Sequence, residues 1–203
     1  RVGPNTGKVT DFNDFEDIYE AWKNQFDHFL KIKLRGNMII EQLYANQMPA
    51  PFLSVLTDDC IFKGKDYNSG GARYNNSYVQ FVGLGTITDS LSAIKQMVYE
   101  EQSLSLPSLL HALDENFEGE LDEQPQEVLR QRLLNHAAKY GNNNEYADEM
   151  MKRVFNHCVK SVDGVPNAKG GSYRAEMLPT TCHVYFGSVT GATPDGRRAG
   201  LPL

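Results

Sequence analysis

The side chains in this sequence that are best suited to chemistry are three cysteines and five histidines. Cys60 follows the carboxylates of Asp58 and Asp59, and adjacent carboxylates raise the pKa of a thiol and reduce its reactivity. We therefore interpret Cys60 as a structural thiol, with an activated nucleophile as the alternative. The cysteines form no C-x-x-C pair and the histidines lack metal-ligand spacing, so we predict no metal site. The histidines are His28, His111, His136, His157 and His183.

Two glycine-rich stretches have a composition that could suit a phosphate. Gly70-Gly71 lies in a long polar segment, and Gly83-Leu84-Gly85 precedes a predicted helix. Neither stretch has the order of the P-loop or of the G-x-G-x-x-G dinucleotide motif. We interpret both as tight turns in which the backbone approaches another segment closely, with nucleotide binding as the alternative.

The best candidates for ligand binding lie on a predicted strand over Leu178–Val184. Side chains alternate between the two faces of a strand, which places Thr181 and His183 on one face with Pro179, and Thr180 on the other. If one face lines a cavity, Thr181 and His183 are polar groups directed into it. The alternative is that these groups pair with neighbouring loops.

Most of the chain is predicted to form helices, each with a single apolar stripe. Asn13 and Glu16 resemble a capping box at the start of a helix that extends to about Gln47, and Gly36 could divide this helix in two. Asn144 is the predicted cap of another helix. Further helices are predicted over residues 88–98, 108–116 and 127–139.

Three strands are predicted among these helices. They are the apolar run Phe52–Leu56, the segment Tyr78–Val82, and a strand within Tyr173–Phe186 that ends at its aromatic residues. Strands alternating with helices indicate an α/β fold with right-handed crossovers. Three strands leave sheet edges open, so we expect this sheet to be part of a larger one.

Composition narrows the function classes. The 203 residues have a formal net charge of −6, and their basic residues are scattered among acidic ones, which excludes the basic stripe of a nucleic-acid binder. No apolar run approaches the roughly 18 residues that cross a bilayer, so no membrane span is predicted. An odd number of widely spaced cysteines suits a reducing compartment, and we expect a cytoplasmic protein.

Four stretches resemble the glycyl radical enzymes of the pyruvate formate-lyase superfamily, and the T-P-D-G-R-R-A-G run in the last of them is the most specific. The stretches are Gly70–Asn75, Tyr140–Asp148, Val184–Gly187 and Thr190–Gly200. The resemblance implies that residues 1–203 are an internal segment of one domain, a partial α/β barrel within a ten-stranded barrel surrounded by helices. The stretches Asp58–Ile61, Lys63–Asn68 and Gly83–Ser92 are most similar to the dehydratase and lyase branch. This similarity favours trans-4-hydroxy-L-proline as substrate, with glycerol, propanediol or choline as alternatives.

The resemblance also implies radical chemistry whose reacting groups are outside these residues. In the family, a stored glycyl radical in an R-V-x-G-Y loop activates a cysteine in a G-C-x-E loop, and the thiyl radical abstracts hydrogen from the substrate. Neither motif occurs here, and neither Cys60 nor Arg1–Pro4 matches them. We therefore expect no catalytic residue, metal or organic cofactor in this segment, and no activity from it alone.

The resemblance assigns substrate binding to Thr181, Thr180 and His183. It implies a radical S-adenosylmethionine activating enzyme with an iron-sulfur cluster as partner, and a homo-oligomer at full length. A non-catalytic binding or scaffold module derived from the same barrel is the alternative.

Overall fold

The computed structural model describes residues 3–178 and 180–203. These residues form two compact units. The first consists mainly of Lys23–Gln80 and Cys158–Glu176, and the second of Thr6–Trp22, Phe81–His157 and Met177–Leu203. Two helices contribute residues to both units, α1 (Phe15–Gln47) and α7 (Glu145–Val162). No helix in the described part of the chain is long and apolar enough to cross a membrane.

The first unit contains a parallel pair of strands, β1 (Ser77–Gln80) and β4 (Tyr173–Glu176), in a register that pairs Ser77 with Tyr173. Val79 and Tyr173 are buried in its core. Among the described residues this sheet has only two strands, so each strand has one edge without a partner strand. The short helices α2 (Pro51–Leu56) and α3 (Cys60–Lys63) belong to the same unit.

Hydrogen bonds of Glu41 and Asn167 fix the beginnings of both strands. The Ser77 hydroxyl donates to Glu41 Oε1 at 2.5 Å, and the Ala168 backbone N–H donates to Glu41 Oε2 at 3.0 Å. Asn167 Nδ2 donates to the Asn75 carbonyl at 2.6 Å and to the Ser77 hydroxyl at 2.9 Å. Glu41 and Asn167 thereby connect the segment before β1 to the segment before β4.

Glycines permit close backbone contacts beside this sheet. A Cβ at Gly70 would lie 2.3 Å from the Lys169 carbonyl oxygen, and a Cβ at Gly71 would lie 2.0 Å from the Lys65 carbonyl oxygen. These separations are too short for any side chain, so the prediction of close backbone approach at Gly70-Gly71 is confirmed. Gly83 has a φ of +82° immediately before α4, as a tight turn requires.

The second unit is helical. It contains α4 (Leu84–Ala93), which continues as a π-helix over Ile94–Glu100, then α5 (Leu106–Asp114), α6 (Gln126–Asn135) and α8 (Cys182–Ser188). A short antiparallel hairpin lies between α5 and α6. Its strands, β2 (Glu120–Leu121) and β3 (Gln124–Pro125), have two residues each. The buried side chains of Met97, Leu109, Leu133 and Val154 form much of its core.

Side chains cap two of the helix starts. The Ser105 hydroxyl accepts a hydrogen bond from the Ser108 backbone N–H at 3.1 Å at the start of α5. Asn144 Oδ1 accepts from the Tyr146 backbone N–H at 3.0 Å, so the predicted cap of α7 is confirmed. Helix α4 begins earlier than predicted, directly after Gly83.

Two predictions for residues 13–56 are wrong. Gly36 does not divide α1, which runs without interruption for 33 residues, because glycine inside a helix costs only about 1 kcal/mol. Phe52–Leu56 is not a buried strand but belongs to α2, where Phe52, Val55 and Leu56 are exposed. Pro51 occupies the first helical position, which proline favours, and a short apolar run cannot distinguish a helix from a strand.

The predicted strand over Leu178–Val184 is also wrong. Strand β4 ends at Glu176, and the helix α8 begins at Cys182. Thr181 has φ −66° and ψ −7°, which is helical and not extended. Thr181 and His183 therefore do not share a strand face. Pro179, which was predicted to lie on the same face, is outside the described residues.

Candidate functional site

A pocket of about 860 Å³ lies within the second unit, a size typical of small-molecule sites. Its lining comes from the α4 start, from α7 with the preceding Tyr140, from the start of α8, and from Leu203. Apolar side chains that include Phe81, Met151 and Phe155 form much of the wall. The pocket is therefore largely apolar with a few polar groups, as in sites that bind small metabolites.

The structure brings all three predicted binding residues to this pocket, at the start of α8. Thr180, Thr181 and His183 all line it. The Thr180 hydroxyl accepts a hydrogen bond from the Cys182 backbone N–H at 3.3 Å. The Thr181 hydroxyl has no hydrogen-bond partner within residues 3–178 and 180–203, and it makes no cap contact. It can therefore pair with a ligand.

The hydrogen bond of His183 determines which form of its ring is present. His183 Nδ1 lies 2.5 Å from the Thr180 carbonyl oxygen. A carbonyl oxygen only accepts hydrogen bonds, so Nδ1 carries the proton. In the neutral ring, Nε2 is then an acceptor, and this nitrogen has no protein partner in the described part of the chain. The site can thus offer one hydroxyl and one imidazole acceptor to a polar ligand.

The turn that follows α8 is built around the buried guanidinium of Arg197, which is 8% exposed. Arg197 Nε donates to the Thr193 hydroxyl at 3.1 Å, and Nη1 donates to the Leu201 carbonyl at 2.7 Å and to the Arg198 carbonyl at 3.0 Å. Nη2 donates to the carbonyls of Thr190 and Gly191. All five N–H groups are therefore paired with neutral acceptors.

This turn returns the chain to the pocket. The Leu203 backbone N–H donates to the His183 carbonyl at 3.1 Å, and the Leu203 side chain lies against Gly83. Sequence reasoning missed Leu203 as part of the site, because only the folded turn brings it beside α8.

A second missed residue, Tyr140, is held by Asp89. The Tyr140 backbone N–H donates to Asp89 Oδ1 at 2.8 Å, and Lys139 Nζ donates to the Asp195 carbonyl at 2.8 Å. Burial raises the pKa of Asp89 and lowers the pKa of Lys139. Each group is thus partly desolvated where Tyr140 joins the pocket wall.

The three thiols differ in their exposure. Cys60 and Cys158 are buried, and Cys182 is exposed at the start of α8. Burial raises the pKa of the Cys158 thiol to about 12, so this thiol stays protonated and unreactive. The burial of Cys60 agrees with its interpretation as a structural thiol. The described residues contain no group of three or more His, Cys, Asp or Glu side chains that could hold a metal ion.

Residues 1–187 match the family model for pyruvate formate lyase-like proteins, so the chain belongs to that family. It is 47% identical over 203 residues to trans-4-hydroxy-L-proline dehydratase of Clostridioides difficile, covering 100% of this chain and 25% of the relative. It is 32% identical over 198 residues to the probable dehydratase YbiW of Escherichia coli K12, covering 95% of this chain and 24% of the relative. The chain spans about a quarter of the length of these relatives.

Solved structures of the same family have the same fold. The crystal structure of hydroxyproline dehydratase from Clostridioides difficile, with trans-4-hydroxy-L-proline bound, matches 98% of this chain and 25% of that chain, with a TM-score of 0.93 and 48% identity. The glycerol-bound B12-independent glycerol dehydratase from Clostridium butyricum matches 99% of this chain and 25% of that chain, with a TM-score of 0.91 and 35% identity. The α/β fold and the predicted family are confirmed.

Proposed function

We propose that this chain is part of a glycyl radical dehydratase or lyase that eliminates water or an amine from a small polar metabolite. The observation that carries the proposal is the match of nearly the whole chain to hydroxyproline dehydratase, at a TM-score of 0.93 and 48% identity. The favoured substrate is trans-4-hydroxy-L-proline, and glycerol, propanediol and choline are the alternatives. Residues 1–203 supply an internal segment of one barrel domain.

We propose that this segment binds and encloses the substrate. The Thr181 hydroxyl and His183 Nε2 hydrogen-bond polar groups of the substrate, and Thr180 orients the His183 ring through its carbonyl. The apolar wall of the pocket keeps water from the reacting atoms. The glycyl radical and the thiyl cysteine, which supply hydrogen abstraction, belong to parts of the protein outside these residues.

The proposed enzyme needs a radical S-adenosylmethionine activating enzyme, because a glycyl radical must be generated by another protein. We further propose that the full-length enzyme is a cytoplasmic homo-oligomer. The family membership of the chain supports the activating partner, and the widely spaced thiols support a reducing compartment.

The test uses the full-length protein, activated without oxygen by its activating enzyme. Electron paramagnetic resonance should show a glycyl radical, and product should form faster from trans-4-hydroxy-L-proline than from glycerol, propanediol or choline. Thr181→Ala should raise KM or lower kcat, because a hydrogen bond to the substrate is lost. Thr10→Ala, which changes an exposed threonine outside the pocket, serves as the matched control.

Two outcomes would contradict the proposal at different levels. A protein that forms no radical and turns over none of the four substrates would favour a non-catalytic binding or scaffold module. An active enzyme whose kinetics are unchanged by Thr181→Ala would remove Thr181 from the site and leave the reaction class intact.

A further inference from the structure

A second concave site lies in the second unit and shares no residue with the pocket at α8. This polar cleft has a volume of about 460 Å³. It is lined by residues 102–105 with Ser108, by the β2–β3 hairpin, and by the first two turns of α6. The hydroxyls of Ser105 and Ser108 are hydrogen-bonded to each other at 2.7 Å, and the Ser105 hydroxyl also accepts from the Ser108 backbone N–H at 3.1 Å.

The most informative group is the side-chain amide of Gln126, the first residue of α6. Gln126 lines the cleft and is 1% exposed. Neither Nε2 nor Oε1 has a hydrogen-bond partner among the described residues, although the backbone N–H donates to the Gly119 carbonyl at 3.0 Å. Buried polar groups are normally paired, because leaving them unpaired is costly. An amide with both positions open suits a ligand that has an acceptor and a donor.

Two positively charged features of the cleft suit the end of the ligand that accepts hydrogen bonds. Helix α6 begins at Gln126 after Pro125, which supplies no side-chain cap, and uncapped N–H groups at a helix start attract anions. The exposed Arg132 guanidinium has no ion pair or hydrogen-bond partner in the described part of the chain. Glu127 does not neutralise this end, because its carboxylate pairs with Arg130 at 2.7 Å and with Arg198 at 2.9 Å.

The hairpin side of the cleft suits the end of the ligand that donates hydrogen bonds. Asp122 lines the cleft and is exposed, and no other described residue pairs with its carboxylate. An ammonium group would find two acceptors here, the Asp122 carboxylate and Gln126 Oε1. The lining of the cleft therefore combines a cationic side chain, an anionic side chain and an unpaired amide.

We propose that this cleft binds a small zwitterion of the free α-amino acid class. The carboxylate of the ligand pairs with Gln126 Nε2, the α6 N-terminus and Arg132, and its ammonium group pairs with Gln126 Oε1 and Asp122. This site is additional to the one proposed for substrate.

The test measures the Tm of the full-length protein against increasing L-alanine. Binding to the folded state raises Tm with ligand concentration. Propionate and ethylammonium, each carrying half of the zwitterion, serve as matched controls and should shift Tm far less than L-alanine at the same concentration. Gln126→Leu should raise the Tm of the ligand-free protein, because an unpaired buried amide is removed, and should abolish the shift with L-alanine.

Arg132→Gln, a change on the exposed surface, should also abolish the L-alanine shift. Thr181→Ala, in the other pocket, should leave the shift unchanged, so failure of this site is distinguishable from failure of the proposed substrate site. No shift with L-alanine, an equal shift with propionate, or a shift that survives both Gln126→Leu and Arg132→Gln would overturn the proposal.

Discussion

Replacing Gly71 with alanine is expected to destabilise the first unit by about 3 kcal/mol. The new Cβ would lie 2.0 Å from the carbonyl oxygen of Lys65 and 3.0 Å from that of Asp66. Both neighbours are backbone atoms, so relief requires movement of the chain, and overpacking of this kind costs about 1–3 kcal/mol or more. The movement would also strain the hydrogen bond from the Gly71 N–H to the Asp66 carbonyl, which is 2.9 Å long. We place the loss at the upper end of that range for this reason.

Gly36→Ala is the matched control, because nothing lies within 4 Å of the Cβ it would add. Inside α1 this change should stabilise by about 0.5–1 kcal/mol, since alanine has the higher helix propensity. Pulse proteolysis of the full-length protein in urea measures both changes as shifts of the midpoint. A Gly71→Ala midpoint equal to or above that of Gly36→Ala would refute the close backbone approach.

Three further predictions concern single residues, and a fourth concerns the chain on its own. Arg197→Lys should cost about 3 kcal/mol in the same urea assay, because one ammonium cannot pair all five acceptors; a wild-type midpoint would contradict this. Hydrogen bonds, that from Gln131 foremost, lower the pKa of Glu127 to about 2, so the Tm advantage of wild type over Glu127→Gln should be full above pH 4.5 and shrink as pH falls towards 2. A constant advantage would show that the carboxylate is not paired. Iodoacetamide should alkylate Cys182 but not Cys158 in the folded protein, as mass spectrometry can measure; equal labelling would place Cys158 at the surface. The isolated chain should be inactive and should aggregate on gel filtration, and a monomer with cooperative unfolding would oppose this.

The features predicted correctly from sequence are those that depend on near neighbours. The Asn144 cap acts on an N–H two residues away, and the apolar stripe of α7 has the helical period over many residues. Such interactions are encoded within a few residues of where they act. The glycine pair indicated close backbone approach but not its partner, which is Lys65 for Gly71 and the distant Lys169 for Gly70.

The wrong prediction at the candidate site depends on distant contacts. Cys182–Ser188 contains β-branched and aromatic residues that favour a strand, yet it forms α8. The carbonyl oxygen of His183 accepts from Leu203, and the Cβ position of Gly187 lies against the Leu201 carbonyl, so residues more than a dozen positions away contact this helix. Local periodicity has no information about these contacts. The three candidate binding residues line one pocket because they lie at the start of α8, and not because side chains alternate along a strand.

The stretch that most specifically resembles the family supports the candidate site without lining it. Thr193, Asp195 and Arg197 make hydrogen bonds to one another, and Arg197 also pairs with the Leu201 carbonyl. The buried guanidinium has no carboxylate partner in the described part of the chain, so its charge is balanced only by oriented carbonyl and hydroxyl dipoles, which requires each acceptor to stay in place. Any displacement of the segment between Thr193 and Leu201 would leave a buried cation underpaired. These hydrogen bonds hold the turn that places the Leu203 backbone N–H against the His183 carbonyl at the pocket wall.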